Sequence, residues 1–144
     1  MDAIRSFRDD YAWLSNFYPA TVQIPMGTER WFFPTAENAY QATKSEDASD
    51  WIRIATLTPG QAKRHGSKVK LRSNWNEIKL GIMTEIVTLK FNQHPELMAK
   101  LKATGSREII EENHWGDTYW GVCAGQGDNH LGKILMAIRD QKTT

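Results

Sequence analysis

Cysteine is almost absent from this chain of 144 residues, where Cys123 stands alone. A lone cysteine excludes an intrachain disulfide framework and a zinc site built on several thiolates. Cys123 also lies within an apolar segment, where cysteines are usually buried and unreactive. The four histidines include no pair at the helical spacing of four residues, so we predict no metal site and no cofactor.

A strong net charge and a long apolar run are also missing. The formal net charge is +1, which gives no global field for nucleic acid or membrane but leaves a local basic patch open. No run approaches the roughly 20 apolar residues of a membrane span, and the N-terminus has no apolar signal region. We expect a cytoplasmic protein with no membrane association. The length suits one core, so residues 1–144 are predicted to form a single domain.

Two common catalytic motifs are absent or incomplete. The chain has no Gly-x-Ser-x-Gly nucleophile elbow. Residues 127–133 have the spacing of a phosphate-binding loop, but Ile134 follows where Ser or Thr would bind magnesium. We therefore exclude a nucleotide-hydrolysing domain of that class. A glycine-rich loop that opens a helix can still hold an anion on backbone N–H groups.

Helices dominate the predicted secondary structure. Residues 21–24 and 30–33 alternate like the strands of a hairpin. Thr58-Pro-Gly-Gln61 predicts a capped helix that ends with Gly66 as its C′ residue. The longest helix is predicted over residues 74–93, and its apolar stripe is Trp75, Ile78, Ile82, Ile86 and Leu89. Further predictions are a helix at 51–57, strands at 107–112 and 118–123, and a last helix at 129–141.

The helix predicted after Pro34 has an unusual face. Thr35 is a plausible N-cap, and at 3.6 residues per turn Glu37, Tyr40, Gln41 and Lys44 share one face. An acid, a phenol, an amide and an amine replace the apolar stripe of an ordinary surface helix. Two interpretations stay open, a solvated surface and a face that binds a ligand.

Other polar and aromatic candidates come from different loops and helix starts. Together with the helix face they suit a sugar attached to a base, since carboxylates assist glycosidic cleavage. A buried lysine with a lowered pKa can attack an aldehyde-like carbon and form an imine. The candidates are Glu37, Lys44, Asp117, Trp120, Asn16 and Asn129, with Trp75 alongside.

Seven dispersed blocks resemble the NADAR family, also called the YbiA-like family, and they run in family order over almost the whole chain. The blocks are Trp13-Leu-Ser-Asn-Phe-Tyr-Pro19, Pro34-Thr-Ala-Glu-Asn-Ala-Tyr-Gln-Ala-Thr-Lys44, Gln61-Ala-Lys-Arg-His-Gly66, Lys90-Phe-Asn-Gln-His-Pro-Glu-Leu97, Ala103-Thr-Gly105, Asp117-Thr-Tyr-Trp-Gly121 and Gly125-Gln-Gly-Asp-Asn-His-Leu-Gly-Lys133.

The resemblance implies a single α+β domain that is mainly helical, with short strands. It also implies an N-glycosidase that cleaves the bond between ribose C1 and an amino nitrogen. Two substrate classes are associated with the family, phosphoribosylamino-pyrimidines of riboflavin synthesis and ADP-ribose linked to guanine, the latter free or in nucleic acid. A module that binds ADP-ribose without cleaving it is the alternative. The oligomeric state is not readable from the sequence.

The resemblance carries the family's functional positions onto seven residues, and Tyr40 of the shared helix face is added to them. Glu37, Lys44 and Asp117 are the expected catalytic residues. The expected substrate-binding residues are Asn16, Tyr40, Trp75, Trp120 and Asn129. Structural alternatives are a turn carboxylate for Asp117, a helix cap for Asn129 and core packing for the tryptophans. Two mechanisms stay open, an imine at Lys44 and direct attack by water while Lys44 holds phosphate.

Overall fold

The computed structural model describes residues 2–141, and these fall into two compact units, residues 16–93 and residues 2–15 with 94–141. The fold is α+β and mainly helical, as predicted, whereas the single-domain boundary stays a prediction. Within the described residues the elements are β1 (Ile4–Arg5), a 3-10 helix (Asp9–Leu14), β2 (Val22–Met26), β3 (Glu29–Phe33), α1 (Ala36–Thr43), α2 (Ala48–Ile54), α3 (Pro59–Gly66), α4 (Trp75–Gln93), α5 (Pro95–Ala103), β4 (Ile109–Ile110), β5 (Glu112–Asn113), β6 (Val122–Cys123) and α6 (His130–Asp140).

The predicted hairpin is present in the unit of residues 16–93. Strands β2 and β3 pair antiparallel, with Val22 opposite Phe33 and Met26 opposite Glu29. The alternation of β2 buries Val22 and Met26 on one face, and Gly27 turns the chain at a positive φ of 66°. The hairpin delivers the chain to α1.

Helix α1 is buried on every side, because each of its eight residues is buried. Thr35 caps it as predicted, accepting a hydrogen bond from the Asn38 N–H. The helix packs against α2, α3, α4 and both strands of the hairpin. The interpretation of its polar face as solvated surface is therefore wrong.

Helix α3 begins with the predicted capping box, in which Thr58 and Gln61 satisfy each other's backbone N–H groups. Gly66, however, is the last helical residue rather than a C′ residue, and it has no left-handed φ. A Cβ at this position would lie within the side chain of Gln41 on α1. Glycine is required here because the two helices approach closely. Helix α2 begins at Ala48 because Asp47 caps it, three residues earlier than predicted.

The buried face of α4 differs from the predicted stripe. Trp75 and Ile86 are buried as expected, but the other three stripe residues are only half-buried. Met83, Val87, Lys90 and Phe91 are buried in their place. The face is rotated because positions 83, 86, 87, 90 and 91 share one side of a helix, and this places a lysine in the core.

The unit of residues 2–15 and 94–141 has little regular strand. Strand β1 pairs with β4 and strand β5 with β6, both parallel and two residues long. The longer strands predicted at 107–112 and 118–123 do not form, because side chains of Asn113 and Asp117 fold the intervening chain into turns. Helix α6 buries the predicted residues Leu131, Ile134, Leu135 and Ile138.

None of the helices in residues 2–141 combines the length and the apolar character that a bilayer crossing needs.

Candidate active site

Glu37 lies in the first turn of α1 and is only 8% exposed. Its backbone N–H donates to the Asn16 carbonyl at 3.0 Å. Its carboxylate oxygen Oε2 accepts a hydrogen bond of 2.6 Å from the Gln41 side-chain amide, one turn further along the helix. The carboxylate is therefore held from the same helix face that the sequence singled out.

Aromatic rings surround the other end of this face. The Tyr40 and Trp75 rings are both buried, and their centroids are 5.3 Å apart. The Lys44 Nζ lies 5.6 Å from the centroid of the Tyr40 ring. Two predicted substrate-binding rings thus pack against each other beside the predicted catalytic amine, and their contact with substrate stays a prediction.

Lys44 is half-buried, and its surroundings favour the neutral amine. Burial lowers the pKa of Lys44 below the ordinary lysine value, because desolvation penalises the ammonium form. The charge of Glu37 opposes this shift and raises the pKa, whereas Lys63 and Lys79 lower it further. A lysine with a lowered pKa is a better nucleophile at neutral pH.

Arg72 fixes the backbone that carries Lys44. Its N–H donates to the Lys44 carbonyl at 2.9 Å. Its guanidinium donates to the Thr43 carbonyl at 2.7 Å and to the Ser45 carbonyl at 3.0 Å. A cation on the last carbonyls of a helix is a favourable cap. This contact of Arg72 was not predicted from the sequence, because no local pattern shows which helix end a distant arginine will reach.

Asn16 supplies a buried acceptor next to Glu37. The side chain is buried, and its Nδ2 is 3.4 Å from the Met83 sulfur. Its Oδ1 is buried and has no hydrogen-bond partner among the described residues. A buried acceptor without a partner is uncommon and calls for an explanation, and a bound ligand with an N–H or O–H group would supply one.

Asp117, in the unit of residues 2–15 and 94–141, has the geometry of a turn carboxylate. Its Oδ1 accepts hydrogen bonds from the N–H groups of Tyr119 and Trp120, at 3.1 Å and 2.9 Å. Its own backbone is held at both ends by the Asn113 side chain. One carboxylate oxygen is thus committed to local structure.

Trp120 and Asn129 lie in the same unit. The centroid of the Trp120 ring lies 4.7 Å from that of the Tyr119 ring, which it meets edge-on, and 6.4 Å from that of the His130 ring. Asn129 precedes α6 with a left-handed φ of 53°, and its side chain makes no cap bond. It instead accepts from the Glu111 N–H and donates to the Ile109 carbonyl. The helix-cap alternative for Asn129 is wrong, because the side chain tethers the β4 strand.

The start of α6 also bears on the predicted anion site. The N–H of His130 donates to the Tyr119 carbonyl, and that of Leu131 donates to the Trp120 carbonyl. These two groups are already paired, so neither is a free donor for an anion. Within residues 2–141 no three His, Cys, Asp or Glu side chains are grouped so that they could hold a metal ion.

Comparison with known proteins decides the family. The sequence model of the NADAR domain matches residues 4–141. The chain belongs to the NADAR domain family.

The chain is also similar to proteins of known name. It is 37% identical over 140 residues to the N-glycosidase YbiA of Escherichia coli K12, covering 94% of this chain and 84% of that protein. It is 36% identical over 138 residues to the N-glycosidase Npun_R5314 of Nostoc punctiforme, covering 91% and 85%. The riboflavin biosynthesis protein VVA0006 of Vibrio vulnificus is 34% identical over 137 residues, which cover 92% of this chain but 36% of that protein.

A solved structure of a NADAR relative shares the fold. The NMR structure of Escherichia coli YbiA matches with a TM-score of 0.80 at 34% identity, covering 97% of this chain and 85% of that chain. The α+β architecture is therefore the architecture of this relative.

Proposed function

We propose that this NADAR protein is an N-glycosidase that hydrolyses the bond between ribose C1 and an amino nitrogen. The relatives named N-glycosidase support the reaction class. The observation that carries the proposal is Lys44, a half-buried amine whose pKa is lowered, on the same helix face as the buried carboxylate of Glu37. This pair suits imine chemistry at an aldehyde-like carbon.

The reaction begins on the sugar. The ring oxygen of the ribosylamine takes the proton that Lys44 loses on becoming neutral, its bond to C1 breaks, and a C1=N iminium to the base forms. Neutral Lys44 Nζ then adds to C1. A proton passes from the Lys44 nitrogen to the base nitrogen, and Glu37 is the group that carries it.

Release of the two products completes the cycle. The C1–N bond to the base breaks, the base leaves as a neutral amine, and C1 is left as an iminium of Lys44. Water adds to C1, the C1–Nζ bond breaks, and the open-chain sugar leaves as an aldehyde. Every bond broken is matched by one formed, and no oxidant or reductant is consumed. Asn16 Oδ1 accepts a hydrogen bond from the bound substrate in this scheme.

Two substrate classes fit this reaction equally well at C1. Riboflavin biosynthesis in the name of the Vibrio vulnificus relative supports the phosphoribosylamino-pyrimidines. ADP-ribose linked to the exocyclic amine of guanine presents the same C1–N bond, and it is the other class that the family resemblance implies. In both, the leaving group is an amine on an aromatic base.

A side-by-side hydrolysis assay tests the proposal. The purified chain is offered the phosphoribosylamino-pyrimidine, ADP-ribosylated guanine as a free nucleotide, and the same guanine in single-stranded DNA. We expect release of free sugar from at least one of the three, and Lys44→Ala stops that release. Release from the guanine substrates alone, or from the pyrimidine alone, fixes the substrate class.

The same assay can contradict the proposal that this chain is an enzyme. Titration of each intact substrate is followed in parallel by calorimetry. Tight binding of an ADP-ribosylated substrate without cleavage means that the chain is a binding module. Turnover that survives Lys44→Ala means that water attacks C1 directly and the imine step is wrong.

A further inference from the structure

Gln41 lies between Glu37, on its own helix α1, and Gly66 on α3. Its side chain is 3% exposed. The amide Nε2 donates to the Glu37 Oε2 at 2.6 Å, whereas the amide oxygen Oε1 is buried and has no partner among the described residues. A buried acceptor without a partner is destabilising, so this orientation of the amide calls for a reason.

The orientation fits an ionised Glu37. At 2.6 Å the Nε2 group gives a carboxylate oxygen the donor that an anion needs. The reverse orientation would place a carbonyl oxygen against a carboxylate oxygen, which requires a proton on Glu37. Gln41 therefore gives the carboxyl oxygen a donor and holds it in one position, and it leaves its own oxygen without a partner in doing so.

Gly66 on α3 leaves room for this amide. A Cβ built on Gly66 would fall within the Gln41 side chain, closest to Oε1 and then to Cδ. Gly66 has no left-handed φ, so backbone freedom does not explain the glycine. Its use at this position is to admit the Gln41 amide where the amide reaches Glu37.

We propose that Gln41 is a positioning residue that holds the Glu37 carboxyl group oriented, in space that only glycine at position 66 leaves free. The proposal rests on the proposed function in one respect, because it takes Glu37 as the group that moves protons. Gln41 itself does not touch substrate in this proposal. It acts on turnover through the carboxylate.

The first test removes the amide donor while filling the same space. Gln41→Met keeps an unbranched side chain of similar length but has no N–H group. We expect kcat to fall about tenfold or more with KM within about twofold, because a misplaced catalytic group costs transition-state rather than ground-state stabilisation. An unchanged kcat would overturn the proposal.

A second buried amide of α1 is the matched control. Asn38 donates to the carbonyls of Ile54 and Leu57, at 2.9 Å in both cases, and so fastens α2 to α1. Asn38→Ala lowers the free energy of unfolding but leaves kcat per folded molecule unchanged. A similar loss of kcat in both variants means that Gln41 is merely structural.

The second test displaces the Gln41 amide by a substitution on the neighbouring helix α3. Gly66→Ala keeps the Gln41 amide but displaces it, so we expect the same fall in kcat. In a Gln41→Ala background the new methyl group meets no amide, and adding Gly66→Ala then changes kcat little. Effects that multiply in the double variant would show two independent sites and contradict the proposal.

A spectroscopic readout separates this inference from the proposed function. The ¹³Cδ chemical shift of Glu37 reports the carboxylate's hydrogen bonding whether or not the protein turns over substrate. We expect it to move in Gln41→Met and in Gly66→Ala but not in Asn38→Ala. Absence of turnover in the unmodified protein overturns the proposed function, whereas an unmoved ¹³Cδ shift overturns the role of Gln41.

Discussion

Glu37 and Asp117 are both predicted catalytic carboxylates, yet their surroundings differ. Glu37 lies in a buried helix, and a neighbouring amide side chain donates to its carboxylate. Asp117 lies in a turn, where Oδ1 receives two backbone N–H groups of the residues just after it. The first arrangement buries an acidic side chain, which is costly even in the first turn of a helix, where an acid is favourable. The second is what a turn requires for its own stability.

The difference shows which carboxylate to rank first. Burial of a carboxylate is costly unless it is compensated, and the lysine on the same helix face has a lowered pKa. Such a group is a functional candidate on physical grounds. Asp117 has a sufficient structural reason to be where it is. Its catalytic role stays a prediction, and Glu37 is the stronger candidate for the proton carrier.

The largest expected effect is at Lys44. Lys44→Arg keeps the positive charge but removes the nucleophile, because a guanidinium is not deprotonated in proteins. We expect turnover to fall at least about 10³-fold if the imine forms. The loss of turnover is measured as the rate at which the variant hydrolyses the substrate that the assay above identifies.

An exposed lysine gives the control for this substitution. Lys68 is exposed, and Lys68→Arg is the same chemical change outside the site. It leaves turnover unchanged. Full activity in Lys44→Arg would mean that the side chain acts only by its charge, as in the direct attack of water.

The second prediction addresses Glu37. Glu37→Gln keeps the shape of the side chain but removes its charge and its ability to carry protons. We expect kcat to fall about 10²-fold, since general acid–base groups contribute at least that much. Steady-state kinetics decide this, and a loss confined to KM would show that Glu37 only binds substrate.

The third prediction concerns Asp117. Asp117→Asn keeps an oxygen that accepts from the Tyr119 and Trp120 N–H groups, so turnover stays within about threefold of the unmodified protein. Asp117→Ala loses both bonds, and its free energy of unfolding falls by about 1 kcal/mol. A fall in kcat for Asp117→Asn as large as that for Glu37→Gln would establish Asp117 as a catalytic residue.

The smallest effect on catalysis, but a measurable one on stability, is expected at Lys90. This lysine is 1% exposed, and burial lowers its pKa to about 7. Between pH 7 and 9 the folded chain loses this proton while the unfolded chain keeps it. The free energy of unfolding therefore rises with pH, by up to ~1.4 kcal/mol per pH unit from this group.

Denaturant unfolding at several pH values isolates this contribution. Lys90→Met keeps the length of the side chain and removes the titrating group. The rise in stability from pH 7 to 9 is expected to be smaller in the variant by the contribution of Lys90. Parallel pH dependences in the two proteins would mean that Lys90 stays charged in the folded state.

Local sequence patterns predicted the elements that depend on local chemistry. The cap at Thr35, the capping box at Thr58 and the hairpin around Gly27 all follow from neighbouring residues. The shared face of Glu37 and Lys44 follows from helical periodicity alone.

Features that depend on residues far apart in the chain could not be predicted from local sequence patterns. That α1 is buried all round depends on three other helices and the hairpin. The glycine at 66 resembled a helix stop because its true reason lies on another helix. The burial of Lys90 is an exception, because helical spacing places this residue on the same face of α4 as residues 83, 86 and 87.

Trapping with borohydride during turnover tests most directly whether Lys44 attacks the sugar. Reduction of an iminium between ribose C1 and the Lys44 Nζ leaves a stable secondary amine, which peptide mass spectrometry locates. We predict a sugar adduct on Lys44 that requires both substrate and borohydride and is lost in Lys44→Arg. Continued turnover with Lys44 unmodified would contradict the imine and leave water as the attacking group.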